Sequence, residues 1–266
     1  MDEKGQQGLD EPKKCLGGRF DLLDRVGVGG GAVVVRARDR QLHRLVAVKL
    51  LRSRDLDLQR RFAQESVVLA GMDHPAIVRV LAHNSEGEEP YTVLELIEGP
   101  DLCEHLARSG PLPWRQVLQI GIQIADALDA VHRQGLVHRD VKPANIMFAD
   151  VDDRLRVKLI DFGLVSIAEN YRVPTGALRP RRTGMGMALG TSGYLPLEAG
   201  LVAPTPRFDV FGLGATLYHL LTGKLPEERL SIFIREFCGR VEYRRGRGSS
   251  TGGAEDPVPE GPRIHG

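Results

Sequence analysis

Asp140, Lys142 and Asn145 lie together in the run His138-Arg139-Asp140-Val141-Lys142-Pro143-Ala144-Asn145. Pro143 disfavours helix there, so the run reads as a loop that gathers two groups able to hold a metal ion or take up a proton. Asp161-Phe162-Gly163 follows a strand pattern and supplies another exposed carboxylate. Upstream, Gly27-Val28-Gly29-Gly30-Gly31 separates two strand patterns. Without side chains, its main-chain N–H groups could close over a polyphosphate, although an ordinary hairpin turn explains it equally well. Lys49, in Val46-Ala47-Val48-Lys49, could reach phosphate oxygens as a point charge, or stand solvated at the end of a strand. Glu65, on a helical pattern, could pair with Lys49 or lie on a helix surface.

The elements that must position these groups divide in two. From Phe20 to Leu51, FDLLDRV, AVVVRARD and LVAVKLL alternate faces and predict a three-stranded antiparallel meander. Residues 60–71 read as a helix stopped by Gly71 and His74-Pro75. Two further strands, 76–82 and 91–97, complete a five-stranded sheet with one helix. After Gly99 the period changes: Val117, Ile120, Ile124, Leu128 and Val131 recur every three or four residues and predict a long helix. Trp114, after Pro113, starts it. Strand-like pieces follow at 146–148 and 157–160, and an apolar helix at 209–221. The stretch 163–190, rich in Gly, Arg and Thr, is too long for an idle connector.

Composition narrows the class of protein. The 266 residues are 42% hydrophobic, enough for one large domain or two packed lobes. Lys and Arg total 36 against 35 Asp and Glu, a net charge of +1, so no global field favours nucleic acid or an anionic membrane. Cys15, Cys103 and Cys238 are too few and scattered for a disulfide framework or a four-ligand zinc site and point to a reducing cytoplasm. His74, His83, His105 and His132 lack metal-ligand spacing. No apolar run reaches the roughly 18–20 residues of a membrane span, and no signal-like segment opens the chain.

In order, the Gly loop, VAVK, helix Glu65, HRDVKPAN and DFG resemble the protein-kinase signature set. With GTSGY at 190–194 and DVFGLG at 209–214, the chain resembles bacterial eukaryotic-like (Hanks-type) serine/threonine kinases over about residues 19–226. The resemblance implies an α+β, two-lobed protein-kinase-like fold. A small antiparallel sheet lobe with one helix spans 19–98, and a mainly helical large lobe lacking its last helices spans 99–226. A flexible leader, 1–18, and a divergent, largely disordered tail, 227–266, flank them.

The resemblance further implies ATP in a cleft between the lobes. Val26, Gly27, Val28, Gly29 and Gly30 would cover it, Val34 and Ala47 would sandwich the adenine from above and Met147 from below. Leu94 would be the gatekeeper, Glu95 and Leu96 the hinge, and Asp101 part of the same site. Lys49 would bind the α- and β-phosphates while paired with Glu65, and Asn145 and Asp161 would hold magnesium (Mg2+). Asp140 would be the base, Lys142 would neutralise the moving phosphoryl group, and Thr191 would bridge the two. His138 and Phe162 would pack against the helix bearing Leu69. Buried Arg139 would pair with a phosphate on Thr175 or Thr183.

Three features depart from the family pattern. Ala32 replaces the third glycine, costing roughly 1–2 kcal/mol if that position needs positive φ. Leu197 stands where proline precedes Glu198. Beyond Pro226 nothing resembles the remaining helices, and losing their arginine would strand the Glu198 carboxylate at about 3–5 kcal/mol unless Arg235 or Arg240 reaches it. A short amphipathic helix through Leu230, Phe233, Ile234 and Phe237, or a partner chain, could cover the bared helix face. Two functions remain: ATP- and magnesium-dependent phosphorylation of Ser and Thr on proteins, and a nucleotide-binding pseudokinase or scaffold acting through a partner. No nucleic-acid partner is expected.

Overall fold

Alternating Val and Leu from Phe20 onward build a sheet, and the computed structural model shows which strands join it. It describes residues 14–29, 32–53, 55–85, 89–149, 154–162, 166–167, 193–196, 198–199 and 201–226. Strands β1 (Lys14–Leu16), β2 (Phe20–Gly29), β3 (Ala32–Asp39) and β4 (Arg44–Leu51) precede helix α1 (Leu56–Ala70), then β5 (Val80–Asn84) and β6 (Tyr91–Glu95). They form one antiparallel sheet in the order β1-β2-β3-β4-β6-β5. One face of it buries Phe20, Leu22, Val35, Val46, Val48 and Val93.

The meander from Phe20 to Leu51 is present, but the sheet has six strands and starts inside the stretch read as a leader. Lys14, Cys15 and Leu16 pair with Leu22, Asp21 and Phe20, and Leu16 is buried. Gly17 and Gly18 turn the chain back at φ of 57° and 67°, a conformation glycine adopts without Cβ strain. Three residues are too few to display a period, so only the existing edge of β2 reveals this strand.

The second lobe follows with α2 (Leu102–Ser109), α3 (Trp114–Arg133), β7 (Leu136–Val137), a 3-10 turn (Pro143–Asn145), β8 (Ile146–Phe148), β9 (Val157–Leu159), β10 (Ser166–Ile167) and α4 (Pro206–Thr222). Helix α2 was not anticipated. It is short, and the Asp101 carboxylate starts it by accepting the Glu104 N–H at 2.8 Å. Helix α3 begins at Trp114 as expected, and its predicted stripe, Val117, Ile120, Ile124, Leu128 and Val131, is buried. One apolar cluster runs from Leu69 and Leu94 through Ile77 and Phe162 to these residues, joining the lobes.

Among the described residues no helix is long and apolar enough to cross a membrane. Gly30, Gly31, Thr175, Thr183, Thr191, Leu197 and the segment 227–266, with Leu230, Phe233, Ile234, Phe237, Arg235 and Arg240, lie outside the described residues.

Candidate active site

The pairing of β4 fixes Lys49 first. It stands between Val34 on β3 and Thr92 on β6, with its side chain largely buried. An isolated buried ammonium is costly, so it needs carboxylates. Glu65 supplies one from α1, with Oε1 at 2.6 Å from Nζ, and Asp161 a second, with Oδ1 at 3.3 Å. Burial works against the Lys49 charge, but the two carboxylates outweigh it and raise its pKa above the ordinary lysine value. Burial also pushes the Glu65 carboxyl up, and Lys49 reverses this only in part.

The loop after β7 carries the second group. Asp140 Oδ2 accepts from Lys142 Nζ at 2.7 Å and from Asn145 Nδ2 at 2.8 Å. Asn145 Nδ2 also donates to the Asp140 carbonyl at 2.8 Å, which fixes the amide and turns Oδ1 to other use. The Ile160 N–H donates to the Asn145 carbonyl at 3.0 Å, so Asp161 emerges beside Asn145. An amide oxygen and a carboxylate are hard donors, and no group of three His, Cys, Asp or Glu side chains able to hold a metal exists among the described residues. That set fits magnesium, which takes one or two protein carboxylates and completes its shell with phosphate oxygens and water.

Sequence reading missed what holds this loop. Asp209, in the first turn of α4 and buried, accepts the N–H of His138 at 2.8 Å and of Arg139 at 2.7 Å, and lies 2.7 Å from His132 Nε2. His132 is thus part of the loop's support. The available signal was a carboxylate entering an otherwise apolar helix. Arg139 is buried and adopts φ of 71°, a strain the two flanking bonds help to hold. Gly212 lets α4 approach: a Cβ there would lie 3.1 Å from the Val141 carbonyl and 3.3 Å from that of Tyr194. Tyr194 in turn meets His219 Nδ1 through its hydroxyl at 2.6 Å.

The packing expected of His138 and Phe162 is observed. Their rings meet edge to face at 4.7 Å, fully buried, and Phe162 shares the cluster of Leu69. Burial lowers the His138 pKa and keeps the ring neutral, despite the carboxylates of Asp209, Asp161 and Asp140.

Around the cleft the structure brings together Val34, Ala47, Leu94 and Leu96 in one apolar cluster, with Ala47 paired to Leu94. Met147 on β8 is bridged to Asp101. Glu95 ends β6, and its carboxylate is turned to Lys158. Val26, Gly27, Val28 and Gly29 lie on β2, with Gly27 to Gly29 paired to Val34, Val33 and Ala32. Ala32 is buried at the start of β3 and is not among the residues of positive φ, so the expected 1–2 kcal/mol strain does not arise. Glu198 keeps an interaction partner.

The protein kinase domain family matches residues 20–243 of this chain. The serine/threonine-protein kinase PknB of Mycobacterium leprae (strain TN) is 37% identical over 260 residues, covering 94% of this chain and 38% of that protein. The probable serine/threonine-protein kinase CPE1738 of Clostridium perfringens (strain 13 / Type A) is 34% identical over 217 residues, covering 80% and 30%. The chain therefore spans well under half the length of these relatives. The crystal structure of Rad53 1-466 in complex with AMP-PNP superimposes with a TM-score of 0.61 at 30% identity, covering 78% of this chain and 49% of that one.

Proposed function

The chain belongs to the protein kinase domain family, with bacterial serine/threonine kinases as relatives, and on that premise we propose that it transfers the γ-phosphate of ATP to Ser or Thr hydroxyls of proteins, itself included. One observation carries this reading: Lys49 Nζ is shared by Glu65 and Asp161, and Asp161 follows a backbone bond that ties it to the Asp140, Lys142 and Asn145 network.

Asp140 takes the proton of the incoming hydroxyl as the oxygen–phosphorus bond forms and the bond to ADP breaks. Lys142, already on Asp140, neutralises charge on the phosphoryl group in transit. Lys49 orients the α- and β-phosphates. Asn145 and Asp161 would hold magnesium, which would supply further charge neutralisation at the phosphates. From its place in the family motif, Thr191 would bridge Asp140 and Lys142. These groups act by position and charge, without a covalent intermediate on the protein. Val34, Ala47, Leu94, Leu96 and Met147 give the adenine apolar walls, and Val26 to Gly30 with Asp101 complete the nucleotide site. The complex of Rad53 with AMP-PNP supports an adenine nucleotide as the ligand of this cleft. The protein works where ATP is supplied, in the cytoplasm. A scaffold role draws no support from a site that retains all of these side chains.

The test is transfer of labelled γ-phosphate from Mg·ATP to the purified chain and to a basic test protein. Transfer is expected from the wild type and lost in Asp140→Asn. No transfer from folded wild type overturns the reading. Mapping the labelled residue, with Thr175 and Thr183 as expected acceptors, also separates serine and threonine from tyrosine.

A further inference from the structure

Beyond the catalytic groups, a set of polar contacts is built around Glu95. Its Oε1 accepts from Lys158 Nζ at 2.6 Å and from the Arg79 N–H at 2.8 Å, while its own N–H donates to the Arg79 carbonyl at 3.0 Å. Lys158 Nζ also lies 3.4 Å from the Ile77 carbonyl. The segment 76–79 is in turn laced to β9, because Val78 N–H donates to the Leu159 carbonyl and Leu159 N–H to that of Ala76, each at 2.9 Å. Three pieces of chain distant in sequence thus close on one carboxylate: the end of β6, the loop before β5, and β9.

The two ends of this set bear on the nucleotide differently. β6 carries Leu94, Glu95 and the following Leu96, against which the adenine of the proposed substrate rests. β9 carries Lys158 and leads, three positions on, to Asp161, which serves the phosphate end. Both side chains of the pair are mostly withdrawn from water, at 30% and 20% exposure, so screening weakens the contact less than at an open surface. We infer that Glu95 and Lys158 form a positioning pair that fixes the distance between the adenine-bearing strand and the strand delivering Asp161, so that base and phosphates are gripped as one ligand. This inference rests on the nucleotide-binding reading of the cleft.

The pair should therefore matter for ligands that span the cleft and not for those that occupy only one end. The experiment measures calorimetric affinity for Mg·ADP and for adenosine in the full chain, with thermal melts to establish folding. Lys158→Met raises the Kd for Mg·ADP by roughly three- to tenfold and leaves the Kd for adenosine unchanged, and Glu95→Gln raises the Kd for Mg·ADP by the same factor. The double variant goes no further than either single one, since both remove the same contact. Lys158→Arg restores affinity, and Arg40→Ala, which breaks the unrelated Arg40–Asp21 pair, has no effect. Glu95→Gln keeps the shape and the Arg79 acceptor, so it remains informative if Lys158→Met fails to fold. Wild-type affinity for Mg·ADP in both single variants, or equal losses for adenosine and Mg·ADP in Lys158→Met, overturns the inference. If the wild type itself binds no Mg·ADP, the nucleotide reading fails, and the inference with it.

Discussion

Asp209 Oδ1 accepts the backbone N–H of Arg139 at 2.7 Å although seventy residues separate them in sequence. Its other oxygen does the same for His138. A helix of the large lobe thereby holds the loop that presents Asp140 by its main chain, independent of the side chains that do chemistry.

Removing that anchor should be costly twice over. Asp209→Ala leaves two buried N–H groups without acceptors, at about 1–3 kcal/mol each, a large part of a typical domain's roughly 5–15 kcal/mol. Denaturant unfolding should show the loss of stability, and phosphotransfer should fall in the fraction that remains folded. Asp209→Asn recovers only part of it, because one carboxylate oxygen becomes an NH2 facing a donor.

At Ala32 the expectation runs against the family pattern. Since Ala32 pairs as an ordinary strand residue opposite Gly29 and Leu51, restoring glycine relieves no strain. Ala32→Gly should lower stability by about 0.5–1 kcal/mol through added backbone freedom and bring no gain in affinity for Mg·ADP. Thermal melts and calorimetry check both halves; tighter nucleotide binding in the glycine variant would show that the position does need glycine.

Acid sensitivity should concentrate at the turn between β3 and β4. The Asp39 carboxylate is buried, receives both Arg19 Nε at 2.8 Å and Nη2 at 2.7 Å, and accepts the N–H groups of Gln41 and Leu42. The Arg19 contact, opposed by burial and helped by those amides, lowers its pKa from 3.8 to about 2. A depressed carboxyl pKa contributes stability that is complete above the unfolded value, here 3.8, and lost as pH falls through about 2. Asp39→Asn should melt lower than wild type at neutral pH and lose less on acidification across that window. Parallel acid titrations of the two proteins, followed by melting temperature, provide the measurement.

The Val-rich alternation of FDLLDRV, AVVVRARD and LVAVKLL determined the three central strands, and the apolar spacing from Val117 to Val131 determined α3, because both patterns exceed the length at which a period becomes visible. The candidate chemistry was legible where Lys49, Asp140, Asn145 and Asp161 sit in short runs of distinctive residue types, whereas Glu65 became a candidate only by its place between VAVK and HRDVKPAN. What remained hidden was whatever depends on partners remote in sequence. Strand β1 and helix α2 were hidden for a different reason, since each has local partners but is too short to display a period. Asp209 reads as one acidic residue in an apolar helix until folding brings it to the His138 and Arg139 amides. Glu95 and Lys158 are ordinary charged residues until β6 and β9 meet. Local spacing encodes which elements form and which groups they carry; only tertiary packing sets which buried donor finds which acceptor, because an unpaired polar group is costly only once water has been excluded.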